Sequence, residues 1–220
     1  IRDIGVTGVQ TCALPISGMA AVQGAAASIR AGMDRVVIAA GTESISTTPG
    51  SMKRILPGDE VGPWMSGSHP ETPDAPAFDM SITVGWNTAQ RAEVSREAMD
   101  EWAYHSHMRA VRAIDEGRFE EEIVPLEVTR RDGTTVTFSV DEHPRRETTL
   151  EKLASLKPLH PEIEGFSITA GNSSGLNDAA AALMVVDSEY ARAHGLEPLA
   201  VIRSWASAAL APRDTGLGPV

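Results

Sequence analysis

The spacing of apolar positions changes from segment to segment along the chain, and each spacing predicts a different element. Residues 17–31 (SGMAAVQGAAASIRA) are small or apolar on every side, with Arg30 the only charge. Such a run predicts a buried helix, and Gly32 marks its stop. Residues 35–40 (RVVIAA) form a short β-branched run of the kind buried on both faces of a sheet. Helix followed by buried strand predicts a layered α/β domain.

Residues 47–77 are rich in Pro, Gly and Ser without sustained periodicity, which predicts a long surface excursion rather than a packed element. In residues 95–117 the period turns helical: Met99, Trp102, Ala103, Ala110, Val111 and Ile114 recur at that spacing. Ser95 can cap this helix, Glu97 lies in its first turn, and Gly117 can end it. His105 and His107 are two positions apart, point to different sides and cannot share one metal within the helix. Residues 122–128 and 134–140 predict two strands joined through Arg131, Asp132 and Gly133, with Val136, Phe138 and Val140 on a buried face. Thr148 with Glu151 predicts a capping box for a short helix. Residues 179–186 predict a second buried strand, 188–194 a capped helix closed by Gly195, and 199–209 a further strand. That order predicts a parallel layer.

The densest signal is residues 165–187, GFSITAGNSSGLNDAAAALMVVD. A β-rich run, Phe166 to Thr169, enters a turn of small residues, and an apolar run follows. Small residues let a ligand or a backbone come close, so a site beside a core is expected. Two readings of the turn compete. Gly171, Asn172, Ser173, Ser174 and Gly175 fit G-x-S-x-G, which would make Ser173 the nucleophile of a serine hydrolase. That elbow needs an acid and a histidine downstream, and the only later histidine is His194, in a polar helical segment. The longer string TAGNSSGLNDAAA resembles a signature of the thiolase family.

The resemblance extends along the chain. In thiolases a nucleophilic cysteine stands two residues before a Ser-Gly pair that opens a buried alanine-rich helix, followed by a strand and G-x-E-S-M-S. Here Ser17, Gly18 and Met19 open the helix, and Gly41, Thr42, Glu43, Ser44, Ile45 and Ser46 follow the strand. The cysteine position falls on Pro15, and Cys12 is out of register. Residues 1–16, IRDIGVTGVQTCALPI, resemble a translated sequencing-library adaptor, the alternative being an unpatterned strand and loop. The family's His-Met-Gly and Thr-Ala-Glu are replaced by Asp79, Met80, Ser81, Ile82, Thr83, Val84 and Gly85, which keeps Met80 and departs at Asp79 and Gly85.

The resemblance implies an α/β fold, part of the layered αβαβα thiolase fold with an inserted α+β loop domain. It places adaptor-derived sequence at 1–16, the end of an N-terminal half at 17–46, the loop domain at 47–170, and the return to the core at 171–220. It implies that Ser174 helps hold the pantetheine arm of coenzyme A and that Met80 lines the acyl pocket. The structural alternatives are that Ser174 only closes the turn and Met80 only fills core. Glu43, Ser44, Asn177 and Asp178 read as turn and cap supports, and Arg145 and Arg146 either approach a nucleotide phosphate or belong to a solvated loop.

The implied chemistry is acyl transfer to or from coenzyme A through a cysteine thioester, with a carbon–carbon bond made or broken, as in fatty acid and other lipid metabolism. Coenzyme A is then a substrate, with no permanently bound cofactor and no metal. Neither a Gly-His-Pro motif nor a second catalytic cysteine is present, so this polypeptide is expected to be an inactive fragment of a homo-oligomeric parent. A non-catalytic thiolase-like carrier of acyl-CoA or lipid is the further alternative.

Composition narrows the partners. With 19 basic against 30 acidic residues the formal charge is -11, and no basic cluster interrupts it, which argues against nucleic acid. The longest apolar runs are too short to span a bilayer. One cysteine excludes an internal disulfide framework and a cysteine-rich metal site, and a reducing cytoplasm is the expected setting.

Overall fold

The computed structural model describes residues 17–47, 50–55, 57–65 and 67–219. The stretch read as adaptor-derived, with Cys12 and Pro15, lies outside the described residues. In chain order the helices and strands are α1 (Ser17–Arg30), β1 (Val36–Glu43), β2 (Ser51–Arg54), β3 (Val61–Trp64), α2 (Asn87–Arg91) and α3 (Arg96–Asp115). They continue with β4 (Leu126–Thr129), β5 (Thr135–Phe138), α4 (Leu150–Ala154), β6 (Ala179–Val186) and α5 (Ser188–Ala193). The chain divides into two units, one made of the residues up to Trp64 with Leu176–Ser207, the other of Met65–Gly175 with Ala208–Val220. Residues 47–64, expected with the inserted portion, thus group with the first unit.

In the first unit α1 ends as its sequence predicts. Gly32 takes φ 73°, Met33 N donates to Ser28 O and Gly32 N to Ile29 O, the paired bonds of a Schellman stop. β1 and β6 pair antiparallel over their full length, from Val36 opposite Val186 to Glu43 opposite Ala179. The helix lies on the face carrying Val37, Ala39 and Gly41, and a Cβ on Gly41 would sit 3.6 Å from Gly18 Cα. Four expectations are corrected here. The strands are not buried on both faces: Ile38 and Met184, cross-strand partners, are 72% and 59% exposed. A two-stranded ribbon backed by one helix covers a single face, and among the described side chains of α1 only Ala25 and Ala26 are buried. Residues 199–209 form no strand, because none of the described strands offers them a ladder, and the pairing that does form is antiparallel rather than parallel.

The excursion 47–77 also departs from expectation, since β2 and β3 form a short antiparallel hairpin and Ala75 and Ala77 are buried. In the second unit the core gathers Ala89, Phe166 and Ile168, with Ile82, Trp86, Met99 and Ile163 packed against them. A π-helical turn, Ser81–Trp86, runs straight into α2 and brings Trp86 to 5.2 Å from the Phe166 ring. Ser95 caps α3 by accepting from Ala98 N, and Gly117, at φ 69°, ends it with the same paired bonds as Gly32.

Trp102 was expected on the buried face of α3 but is 71% exposed, beside Arg109. The other predicted positions, Met99, Ala103, Ala110, Val111 and Ile114, are covered, and Asp100, Tyr104 and His107 share their face, so the apolar pattern places the stripe but misses its polar members. β4 and β5 form the predicted hairpin around Gly133, at φ 83°. Its face is not buried as expected: Val136 is half-buried while Phe138 and Val140 are exposed, since no layer of this unit covers them. The cap of α4 is Thr149, whose hydroxyl accepts from Lys152 N, one residue beyond the predicted Thr148.

Candidate functional site

Residues 166–169 are buried yet belong to no strand, so their backbone groups need other partners. Asn172 supplies two: its Oδ1 accepts from Thr169 N at 2.8 Å and its Nδ2 donates to Ser167 O at 3.0 Å. Leu159 N donates to Ile168 O at 2.9 Å, and the Ser173 hydroxyl donates to Thr169 O at 2.7 Å. Thr169 is 0% exposed, and its Oγ1 accepts from Gly171 N at 3.2 Å and Asn172 N at 3.3 Å. Gly171 is required by space: a Cβ there would lie 2.6 Å from Leu153 Cδ2 and closer still to Leu156 Cδ1. Ser174, which follows Ser173, is exposed, and its hydroxyl has no partner among the described residues.

Behind the turn stands a charge network. Asp100, buried in α3, accepts from Arg96 Nε at 2.7 Å and from Asn172 Nδ2 at 3.1 Å. Arg96 Nη2 also donates to Leu153 O at 2.7 Å and Leu156 O at 3.1 Å. The start of α3, the end of α4 and the Ser-Gly turn are thereby tied together. A buried carboxylate is tolerated because each oxygen has a donor and one donor is cationic.

Met80 is half-exposed at the entry to the π-helical turn. Asp79 holds that entry: its Oδ1 accepts from Ser81 N at 3.0 Å, Ser81 Oγ at 2.6 Å and Ile82 N at 3.3 Å. Its Oδ2 lies 2.8 Å from His160 Nε2, and His160 Nδ1 lies 2.7 Å from Glu162 Oε1. Burial pushes the Asp79 carboxyl up, but the bonds from Ser81, Ile82 and His160 outweigh it and hold it below its ordinary value. Glu162 raises the His160 imidazole above its ordinary value, burial opposes it, and Asp79 adds to the rise. Gly85, the other departure, faces Ile168, with a Cβ there 3.1 Å from Ile168 Cγ1. Through this contact the element carrying Met80 meets the segment that leads to Ser174.

The remaining candidates sort by their bonds. Ser173, the alternative nucleophile, gives its hydroxyl proton to Thr169 O and bonds no histidine among the described residues. Glu43 Oε1 accepts from Ser44 N at 3.1 Å, and Asp178 Oδ1 from Ser46 N at 3.0 Å, so these two act as turn supports, while Asn177 is exposed. Arg146 forms a double contact with Asp115, at 2.8 Å and 2.6 Å, and Arg145 donates its backbone N to His107 Nδ1. Arg146 also borders an open cleft of about 450 Å³ with Arg130, Phe138 and Pro144, and neither Ser174 nor Met80 lines it. His105 faces Glu101 on its own helix, apart from His107. Reading the sequence missed Asp100, Arg96 and His160. The one available sign was an acidic residue, Asp100, one helical turn before Ala103 and Tyr104 on the covered stripe.

The sequence model of the family described as "Thiolase, N-terminal domain" matches residues 6–189. The chain belongs to the thiolase family. The match reaches back into the stretch read as adaptor-derived. A probable acetyl-CoA acyltransferase of Staphylococcus epidermidis is 39% identical over 93% of this chain and 52% of its own length. A beta-ketoadipyl-CoA thiolase of Pseudomonas aeruginosa is 40% identical over 98% of this chain and 54% of its own. The chain spans about half the length of these relatives. In the crystal structure of the Bacillus anthracis acetyl-CoA acetyltransferase the likeness holds at TM-score 0.69 and 38% identity, over 86% of this chain and 47% of that one. The α/β fold is that of a thiolase. No helix among the described residues is long and apolar enough to cross a membrane.

Proposed function

We propose that this chain supplies part of the coenzyme A site of a thiolase-type acyltransferase, with Ser174 holding the pantetheine arm and Met80 lining the acyl pocket. The observation that carries the reading is the turn itself. Thr169, Asn172 and Ser173 are all bonded back to the core, and the Ser174 hydroxyl is left facing solvent. A hydroxyl can donate to or accept from the secondary amides of pantetheine. Met80 offers a flexible apolar surface suited to an acyl chain. On this reading the unit Met65–Gly175 corresponds to the inserted loop domain, and the first unit to part of the layered core.

For the whole protein the proposed reaction is acyl transfer through a cysteine thioester, breaking or making a carbon–carbon bond, in the cytoplasm, by a homo-oligomer without a permanently bound cofactor. Because Pro15 occupies the nucleophile position, this 220-residue chain is expected to release no acetyl-CoA from acetoacetyl-CoA and CoA. Turnover above background would overturn that expectation. The site is tested by calorimetric titration of the chain with free coenzyme A. Ser174→Ala is expected to weaken binding about fivefold, the loss of one neutral hydrogen bond. Unchanged affinity in the variant would remove Ser174 from the site.

A further inference from the structure

The Ser-Gly turn carries the proposed ligand contact, yet what fixes its shape lies elsewhere in the chain. Asn172 is the only side chain of the turn bonded to both the buried segment 166–169 and a helix. The orientation of its amide is settled by Asp100. The carboxylate Oδ1 accepts only from a donor, so Nδ2 must face Asp100 and Oδ1 must face Thr169 N. Asp100 is held in turn by Arg96, whose guanidinium bridges it to the Leu153 and Leu156 carbonyls of the α4 segment. The side chains of Leu153 and Leu156 are the ones that press on Gly171. One ion pair therefore controls the turn twice, through the amide of Asn172 and through the leucines beneath Gly171.

We infer that Arg96 and Asp100 are positioning residues for the Ser174 hydroxyl, acting through Asn172, and that they govern ligand affinity without touching the ligand. The inference rests on the reading of Ser174 as a coenzyme A contact. The physical case for a pair acting in this way is that a networked, buried charge pair allows one arrangement of its neighbours and penalises others. A neutral acceptor at position 100 would offer Asn172 either an oxygen or an amide group, and the turn would lose its single orientation.

The test is a double-mutant cycle on the 220-residue chain, read as affinity for free coenzyme A by calorimetry, with folding of each variant checked by circular dichroism and thermal melting. Asp100→Asn, nearly isosteric, is expected to weaken binding about threefold to fivefold in the parent. In the Ser174→Ala background it is expected to weaken binding less than about twofold, because the hydroxyl it misplaces is already gone. A purely structural role would give equal losses in both backgrounds, and that result overturns the inference. If Asp100→Asn does not fold, Asn172→Ser replaces it in the cycle, since residue 172 is only half-buried. Failure of both to fold would also overturn the inference, by showing that the pair serves the fold and not one hydroxyl. Loss of affinity in Ser174→Ala with none in Asp100→Asn overturns the positioning alone. No binding by the unaltered chain, or no effect of Ser174→Ala, overturns the underlying reading as well.

Discussion

Gly85 stands against Ile168 so closely that a Cβ on it would lie 3.1 Å from Ile168 Cγ1 and 3.2 Å from Cδ1. Ile168 is 5% exposed, with Phe166 and Ala89 in the same core, and has little room to yield. Replacing glycine in a helical turn gains up to about 1 kcal/mol in backbone entropy, whereas overpacking a core costs about 1–3 kcal/mol. Gly85→Val is expected to destabilise the second unit by about 2 kcal/mol in urea unfolding. Adding Ile168→Ala is expected to recover part of that loss, because it empties the space the valine needs. A double variant less stable than the sum of the singles would refute the contact.

The Asp79–His160–Glu162 cluster predicts a pH dependence. The His160 imidazole is raised, so its contribution is complete below its unfolded value of about 6.5 and is lost as pH climbs through the folded value. Asp79 and Glu162 are lowered, so their contributions are complete above about 4.3 and are lost as pH falls. His107 opposes this trend: burial first, then the charges of His143 and Arg145, lower its imidazole, which penalises folding on the acid side. Between about pH 6 and about pH 8, the unit is expected to lose stability more steeply in the parent than in His160→Gln. Urea midpoints across that range check it, and parallel slopes would exclude a role for the cluster.

In the first unit Asp187 accepts from Glu189 N and Tyr190 N, both at 3.0 Å, and caps α5. Asp187→Ala is expected to cost about 1 kcal/mol, while Asp187→Ser retains most of the stability. Chemical denaturation of the two variants separates loss of the cap from loss of the longer contact to Arg35, 3.6 Å away. Equal losses would assign the effect to the ion pair instead.

Gly171→Ala is expected to destabilise the second unit by about 1–3 kcal/mol, because the new methyl meets Leu153, which is 4% exposed and enclosed. Leu156, at 38% exposed, can swing aside. Leu153→Ala in the Gly171→Ala background is therefore expected to cost less than in the parent, whereas Leu156→Ala is expected to show little such coupling. Thermal melts of the three single and two double variants decide this, and equal coupling at both leucines would count against the packing described.

Local features were legible in the sequence. Gly32, Gly117 and Gly195 end α1, α3 and α5 with positive φ, and Ser95 caps α3 where expected. Each depends on bonds between residues no more than five apart, so the local chain contains the whole cause. The string from Thr169 to Ala181 likewise pointed to the turn and to the family. The run 166–169, read as β-rich, is buried but pairs with no strand among the described residues, because its bonds go to Asn172, Leu159 and Ser173.

By itself the sequence determined where α1, α3 and α5 stop and where α3 starts, where the small-residue turn lies, and which family supplies the pattern, because capping, glycine stops and periodicity are short-range. Only the tertiary structure decided that β1 and β6 run antiparallel with one face open, that Trp102 lies outside while Asp100 lies inside, and that His160 meets Asp79. Burial of a face depends on what covers it. A bond such as Asn172 to Asp100, 72 positions apart, exists only once packing has brought two distant elements together.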